Sequence, residues 1–195
     1  PIIKLPESAT EDDHLALLAY LNSSTACFWM KQECYPKGSA VRDAMTVENN
    51  RYEFAGTALL KAPLPPGCLG QRLRELGRSM VALAEARAHL APQMVLEAED
   101  RWSDTESLLD ALSRAEQQES SLLSRMAFLQ EETDWHVYEL FGLVALPDPP
   151  ADGAVAPDNR PFAWESSAAP ESLEEPLRGT YLARRHILER ESEVG

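Results

Sequence analysis

The residues whose types and spacing most suggest chemistry are Asp148-Pro149-Pro150-Ala151. An Asn/Asp/Ser-Pro-Pro-aromatic tetrapeptide can hold an extruded base for transfer to its amino group, with a polar head and a carbonyl accepting hydrogen bonds while the ring stacks on the base. Ala151 stands where the ring is needed, and no Gly-rich strand-to-helix loop for S-adenosylmethionine precedes it. The tetrapeptide is therefore read as composition, and no catalytic or cofactor-binding residue is assigned. Asp134 and His136 flank Trp135 at an expected helix start without a nucleophile nearby, so they are read as a capping Asp and a surface His. Cys27 and Cys34 share a helix face, but two thiols without further ligands pack more often than they bind metal. With Cys68 the thiols are odd in number, show no Cys-x-x-Cys spacing and have no matching His pairs, so neither a metal site nor a disulfide framework is expected.

Charge offers a stronger lead. The 195 residues carry 18 Lys and Arg against 32 Asp and Glu, a formal net charge of -14. Affinity for a duplex comes largely from cations that neutralise phosphates, so the chain as a whole is not expected to bind nucleic acid by itself. The distribution is uneven: residues 1–66 hold six bases against eight acids, and residues 101–195 hold eight against nineteen. Any DNA contact belongs in the first third, where Lys31, Lys37, Arg42 and Arg51 bracket a polar loop. Lys supplies affinity through phosphate, and an Arg fork can read guanine. The competing reading pairs Lys31 and Arg51 with Glu33 and Glu53 as solvated surface charges.

The elements that must position this loop follow from periodicity and punctuation. Residues 1–5 read as the end of a strand or an extended entry. Thr10 followed by Glu11, Asp12 and Asp13 is an N-cap with acids in the first turn, and Leu15, Leu18, Leu21, Thr25, Phe28 and Trp29 then recur at helical spacing, which predicts one helix over residues 11–33. Pro36-Lys37-Gly38 ends it, and residues 39–50 form the loop. Tyr52, Phe54, Leu59 and Leu60 read as short β or extended pieces. Leu69, Leu73, Leu76, Met80, Leu83, Arg87 and Leu90 form a heptad seam up to Pro92, and a second seam runs through Leu108, Leu112, Ala115, Glu119, Leu122, Met126 and Leu129. Ser103-Asp104-Thr105-Glu106 fits a capping box opening that second helix. Two such helices joined by a short connection predict an antiparallel hairpin with arms of roughly 35 to 45 Å.

A short amphipathic helix with Trp135, Tyr138 and Phe141 on one side and Gly142 near its end is expected to dock on a core. Residues 147–176 read as a Pro-rich linker or loose cover, and residues 177–190 as a last helix with Tyr181, Leu182 and Ile187 inward. A hydrophobic content of 44% supports one substantial core or two small ones, and no apolar run approaches a membrane span. The sequence opens at Pro1 with no basic and apolar leader, which is read as a boundary inside a longer protein rather than a signal peptide, and the odd, unpatterned cysteines are read as fitting a reducing cytoplasm.

Several blocks together carry a resemblance. Leu17-Leu18-Ala19-Tyr20-Leu21-Asn22-Ser23-Ser24-Thr25-Ala26-Cys27-Phe28-Trp29-Met30-Lys31-Gln32, Lys37-Gly38, and Arg51-Tyr52-Glu53-Phe54-Ala55-Gly56-Thr57 leading to Pro63-Leu64-Pro65 resemble the target-recognition region of type IIG restriction-modification methylases. Gln130-Glu131-Glu132-Thr133-Asp134-Trp135-His136-Val137-Tyr138-Glu139-Leu140-Phe141-Gly142-Leu143 resembles the segment that follows there. Arg160-Pro161-Phe162 and Thr180-Tyr181-Leu182-Ala183-Arg184-Arg185-His186 resemble a later region of the same proteins. The phage growth limitation methyltransferases of BREX phage-defence systems are similar in the same way. The resemblance implies a parent N6-adenine DNA methyltransferase that uses S-adenosylmethionine, with its catalytic motifs far upstream of this region. Family members often carry a glycine-rich run in the loop, and residues 39–50 have none.

The expectation is a mainly α (α+β) fold: residues 1–66 as part of a target-recognition subdomain with a small β element, 67–134 as the helical hairpin, and 135–195 as docking helix, Pro-rich linker and C-terminal segment. Its expected function is DNA target recognition and positioning, with double-stranded DNA and the parent's own catalytic domain as partners and no membrane. Two rivals stand beside it. One is a protein-interaction module that docks other defence-system proteins. The other is an acidic DNA mimic, which dense exposed carboxylates at phosphate-like spacing would favour.

Overall fold

The computed structural model describes residues 3–34, 54–97, 104–145, 152–164 and 169–193. Along them run α1 (Glu11–Leu21), α2 (Ser24–Glu33), the single turn α3 (Gly56–Leu59), α4 (Gln71–Ala88), α5 (Pro92–Leu96), α6 (Thr105–Leu140), two 3-10 turns (Pro157–Asn159 and Pro161–Ala163) and α7 (Leu177–Glu193). The fold is mainly α as expected. The small β element is not seen: no strand occurs among the described residues. Ala55 is extended, but Gly56–Leu59 then coils into a helical turn. An extended piece needs a neighbouring edge to pair with, and Pro63, Pro65 and Pro66 remove the donors a ladder would use.

α6 is the spine. α1 packs on α4, and α4 on α6. Arg87 of α4 meets Glu119 of α6 at 2.8 Å, while Arg72 lies 3.7 Å from Glu132, so the two helices run antiparallel. Arg87 and Glu119 are the polar members of the two heptad seams, and here each answers the other. One core cluster, of Ala16, Ala19, Tyr20, Ala26, Leu73, Leu76 and Val137, joins α1, α2 and α4 to the last turns of α6. A second, of Phe128, Val155, Trp164, Ala169, Leu173 and Tyr181, joins the middle of α6 to residues 155–173 and α7. The segment expected as a linker or loose cover is, where described, a cover that contributes Val155, Trp164, Ala169 and Leu173 to a core. The expected last helix is present, with Tyr181 fully buried.

The arms of the hairpin are unequal, unlike the expectation. α4 has 18 residues and α6 has 36, which gives about 27 and about 54 Å at 1.5 Å per residue. α4 stops at Ala88 because Ala91, held extended before a proline, and Pro92, at the first position of α5, start a new helix. α6 opens on Asp104 rather than Ser103: the Asp104 carboxylate accepts from the Ser107 N–H at 2.8 Å, and Ser107 reaches back. Ser103 lies outside the described residues. At the other end α6 runs through Asp134 without a break and absorbs the expected docking helix. Thr133 Oγ1 donates to the Leu129 carbonyl at 2.8 Å, sharing the acceptor of its own helical N–H without breaking the helix, and the Asp134 carboxylate points to another helix. Gly142 then ends it at φ +68, with its N–H on the Glu139 carbonyl and that of Leu143 on Tyr138, the closure that a left-handed glycine permits.

Within the seam, Leu73 and Leu76 are buried, whereas Met80, Leu83, Leu112, Leu122 and Met126 are half-buried. Leu76→Ala should therefore cost about 2 to 3 kcal/mol and Leu112→Ala clearly less, because only the former leaves a closed cavity. Urea denaturation of both variants checks this. Equal losses would mean that the distal half of the hairpin is as tightly packed as the proximal half.

Candidate nucleic-acid interface

Of the four bases expected to meet DNA, Lys31 is placed: it is exposed in the last turn of α2. Lys37, Arg42 and Arg51 lie outside the described residues, as does Glu53. Lys31 forms no ion pair with Glu33, which lies 3.9 Å from Lys61.

The expected single helix over residues 11–33 is two helices, and the break sets the direction of the second. Asn22 caps α1, turning its side-chain amide onto the Leu18 carbonyl, and the Ser23 hydroxyl accepts from the Ala26 N–H at 3.2 Å to start α2. A hydroxyl one or two residues before a helical run is a capping signal, and here it overrides an apolar periodicity that passes straight through it. The N–H and hydroxyl of Ser24, both at 2.7 Å, donate to the Asp134 carboxylate of α6. A negative charge at a helix N-terminus is favourable, so Asp134 does cap a helix, but α2 rather than its own. Gln130 adds bonds to the Asn22 carbonyl and to Asp134.

Asp134 is itself held from behind. Arg160 donates through Nη2 to Asp134 at 2.5 Å and through Nε to Glu131 at 2.8 Å. Arg184, with no exposed surface, donates through Nη1 to Glu132 at 2.7 Å and lies 3.9 Å from Glu131. Its guanidinium stands over the rings of Trp135 and Tyr181, at 5.1 and 5.4 Å. Trp135 Nε1 donates to Glu131 at 2.6 Å. Burial pushes the Glu131 carboxyl up, and Arg160, Arg184 and Trp135 pull it back only in part. Burial works against the charge of Arg160, yet Glu131 and Asp134 outweigh it and raise its pKa. Burial, with the neighbouring carboxylates, also raises the Tyr138 and Tyr181 hydroxyls, so both stay protonated. His136 is half-buried rather than a surface residue; burial lowers its pKa against the pull of Glu139.

The three buried acids, Glu131, Glu132 and Asp134, are thus each met by arginine. A set paired in this way holds geometry, although Arg184 Nε and Nη2 are buried with no hydrogen-bond partner among the described residues. Among the described residues no group of three His, Cys, Asp or Glu side chains is placed to hold a metal ion. Sequence reasoning assigned no role to Glu131, Glu132, Arg160 or Arg184. The available signal was a run of acids on the inner side of a helix beside Trp135, where solvated charges do not belong. The Leu-Asn-Ser-Ser, Asp-Trp, Arg-Pro-Phe and Tyr-Leu-Ala-Arg blocks, far apart in sequence, meet at this network through Ser24, Asp134, Arg160 and Arg184.

No family model and no solved structure matches the chain. Among curated proteins it is 39% identical over 149 residues to the adenine-specific methyltransferase PglX of Streptomyces coelicolor (strain ATCC BAA-471 / A3(2) / M145), a stretch covering 73% of this chain and 12% of that protein. The chain is related to that methyltransferase and spans about 12% of the length of the curated relative it matches.

Proposed function

We propose that this chain is the DNA target-recognition and positioning part of an N6-adenine DNA methyltransferase of a phage-defence or restriction-modification system. Catalysis belongs, on this reading, to other parts of a longer protein. The observation that carries it is the 39% identity to an adenine-specific methyltransferase. The anchored α2 supports it: a rigid helix carries Lys31 outward and leads in sequence to Lys37, Arg42 and Arg51. On this reading S-adenosylmethionine is held by other parts of the longer protein. In support, no strand-to-helix glycine turn, the usual cradle, occurs among the described residues, and Gly70 at the start of α4 closes onto the Gly67 carbonyl, 2.8 Å from where a Cβ would stand. Among the described residues no helix is long and apolar enough to cross a membrane.

The isolated acidic chain is expected to bind DNA weakly or not at all, so the test belongs in the full-length enzyme. Replacing Lys31, Lys37, Arg42 and Arg51 together by Ala should weaken binding and lower the slope of log affinity against log salt by about one unit per lost phosphate contact. Anisotropy titrations at several salt concentrations read the slope, and sequencing reads the methylated sites. Wild-type affinity, slope and methylation pattern in that variant would sink the proposal.

A second reading is favoured by the far end of the hairpin, where α5 and the first turns of α6 leave Met94, Leu96 and Leu109 exposed. Such an apolar tip on an acidic arm suits docking to another protein of the same system.

A further inference from the structure

We propose that the outward face of α2 formed by Phe28, Lys31 and Gln32 contacts duplex DNA directly, with Phe28 making an apolar contact to the bases and Gln32 a polar one. This rests on the reading of the chain as a target-recognition module and names residues for it that charge counting does not find.

Phe28 is 66% exposed, the most exposed large apolar side chain within a helix among the described residues. It is not loosely held. α2 is fixed on its opposite side by buried Ala26 and by Met30 packed on the first core cluster, and at its start by the buried Asp134 carboxylate. Lys31 and Gln32 follow at i+3 and i+4 and share its face, and both are exposed. The face therefore combines an aromatic ring, a cation and an amide. A Phe can pack on a thymine methyl or enter between base steps, and a Gln amide matches the paired donor and acceptor of adenine in the major groove.

The occupant follows from the reading of the chain as a target-recognition module and from Lys31, an exposed cation that makes no ion pair among the described residues and can meet a phosphate. Next along the sequence come Lys37, Arg42 and Arg51.

The test uses Phe28→Ala, Phe28→Leu, Lys31→Ala and Gln32→Ala in the full-length methyltransferase, with the duplex it methylates as the probe. All three side chains are exposed, so melting temperatures should match the wild type. Phe28→Ala should weaken binding about tenfold with an unchanged salt slope, because an apolar contact releases no counterion, and Phe28→Leu should retain most of the affinity. Lys31→Ala should lower the slope by about one. Gln32→Ala should broaden the set of methylated sequences. Unchanged affinity in Phe28→Ala, or loss of binding to a protein component instead of DNA, overturns the inference. If the quadruple basic variant is impaired while Phe28→Ala and Gln32→Ala are not, only this inference falls. If neither set matters, the target-recognition reading falls with it.

Discussion

Replacing Arg184 by Met is expected to lower the stability of the chain by about 3 to 5 kcal/mol, read as a reduced midpoint in urea at an unchanged slope. Arg184 has no exposed surface and lies between the carboxylates of Glu132 and Glu131. Met keeps most of the stem and its packing on Trp135, so the loss isolates the charge. Glu132 is then left buried and, among the described residues, with only Arg72, at 3.7 Å, to answer it. The cost comes from the stranded partner and not from the strength of the pair, since a buried ion pair gains little over an apolar isostere. It follows that Arg184→Met combined with Glu132→Leu should recover much of what Arg184→Met loses. A loss below about 1 kcal/mol in the single variant, the range of an exposed pair, would mean that water reaches the network.

That network explains both what the sequence reveals and what it hides. Features decided within a few residues are legible: the Thr10 cap with its reciprocal Asp13 bonds, the two heptad seams, and Tyr181 on the inner face of α7. Features decided across the fold are not. Asp134 looks like the cap of its own helix, because a carboxylate after Thr133 usually serves the backbone nearest to it. Only the arrival of α2 and Arg160 sends it elsewhere. The break at Asn22-Ser23 is hidden for the opposite reason: the apolar residues on both sides keep helical spacing while the chain changes direction between them. Of the expected interface, clustering of bases marks Lys31, and charge counting cannot mark Phe28 or Gln32, whose relevance lies in exposure on an anchored helix. The pairing of α4 with α6 is read correctly from the seams. The unequal lengths of the arms are not, since they depend on where capping stops each helix.

Gly77 tests the fold most sharply, because local and tertiary effects on it have opposite signs. It lies inside α4, where Gly→Ala favours an isolated helix by about 1 kcal/mol. The seam steps over it, and nothing in the sequence marks it as more than a helix interruption. In the fold it is where α1 crosses α4. A Cβ built there would stand 2.3 Å from the Leu15 carbonyl oxygen and 2.9 Å from its carbon, and these are backbone atoms inside a helix that cannot swing aside. Ion pairs on the same interface, Arg74 with Asp13 at 2.7 Å and Arg78 with Asp12, hold α1 down near this point. An added methyl must therefore lift α1 and open the cluster of Ala16, Ala19, Tyr20, Leu73 and Leu76. Gly77→Ala should destabilise the chain by at least about 3 kcal/mol, at the upper end of what overpacking costs because rigid backbone has to move. Arg74→Ala/Arg78→Ala, which removes the partly exposed pairs without touching the crossing, should cost much less. A thermal melt decides between the two effects. If Gly77→Ala raised the melting temperature, as helix propensity alone dictates, α1 would not lie across α4 at this residue, and the support that α1 gives to α2 would have to come from elsewhere.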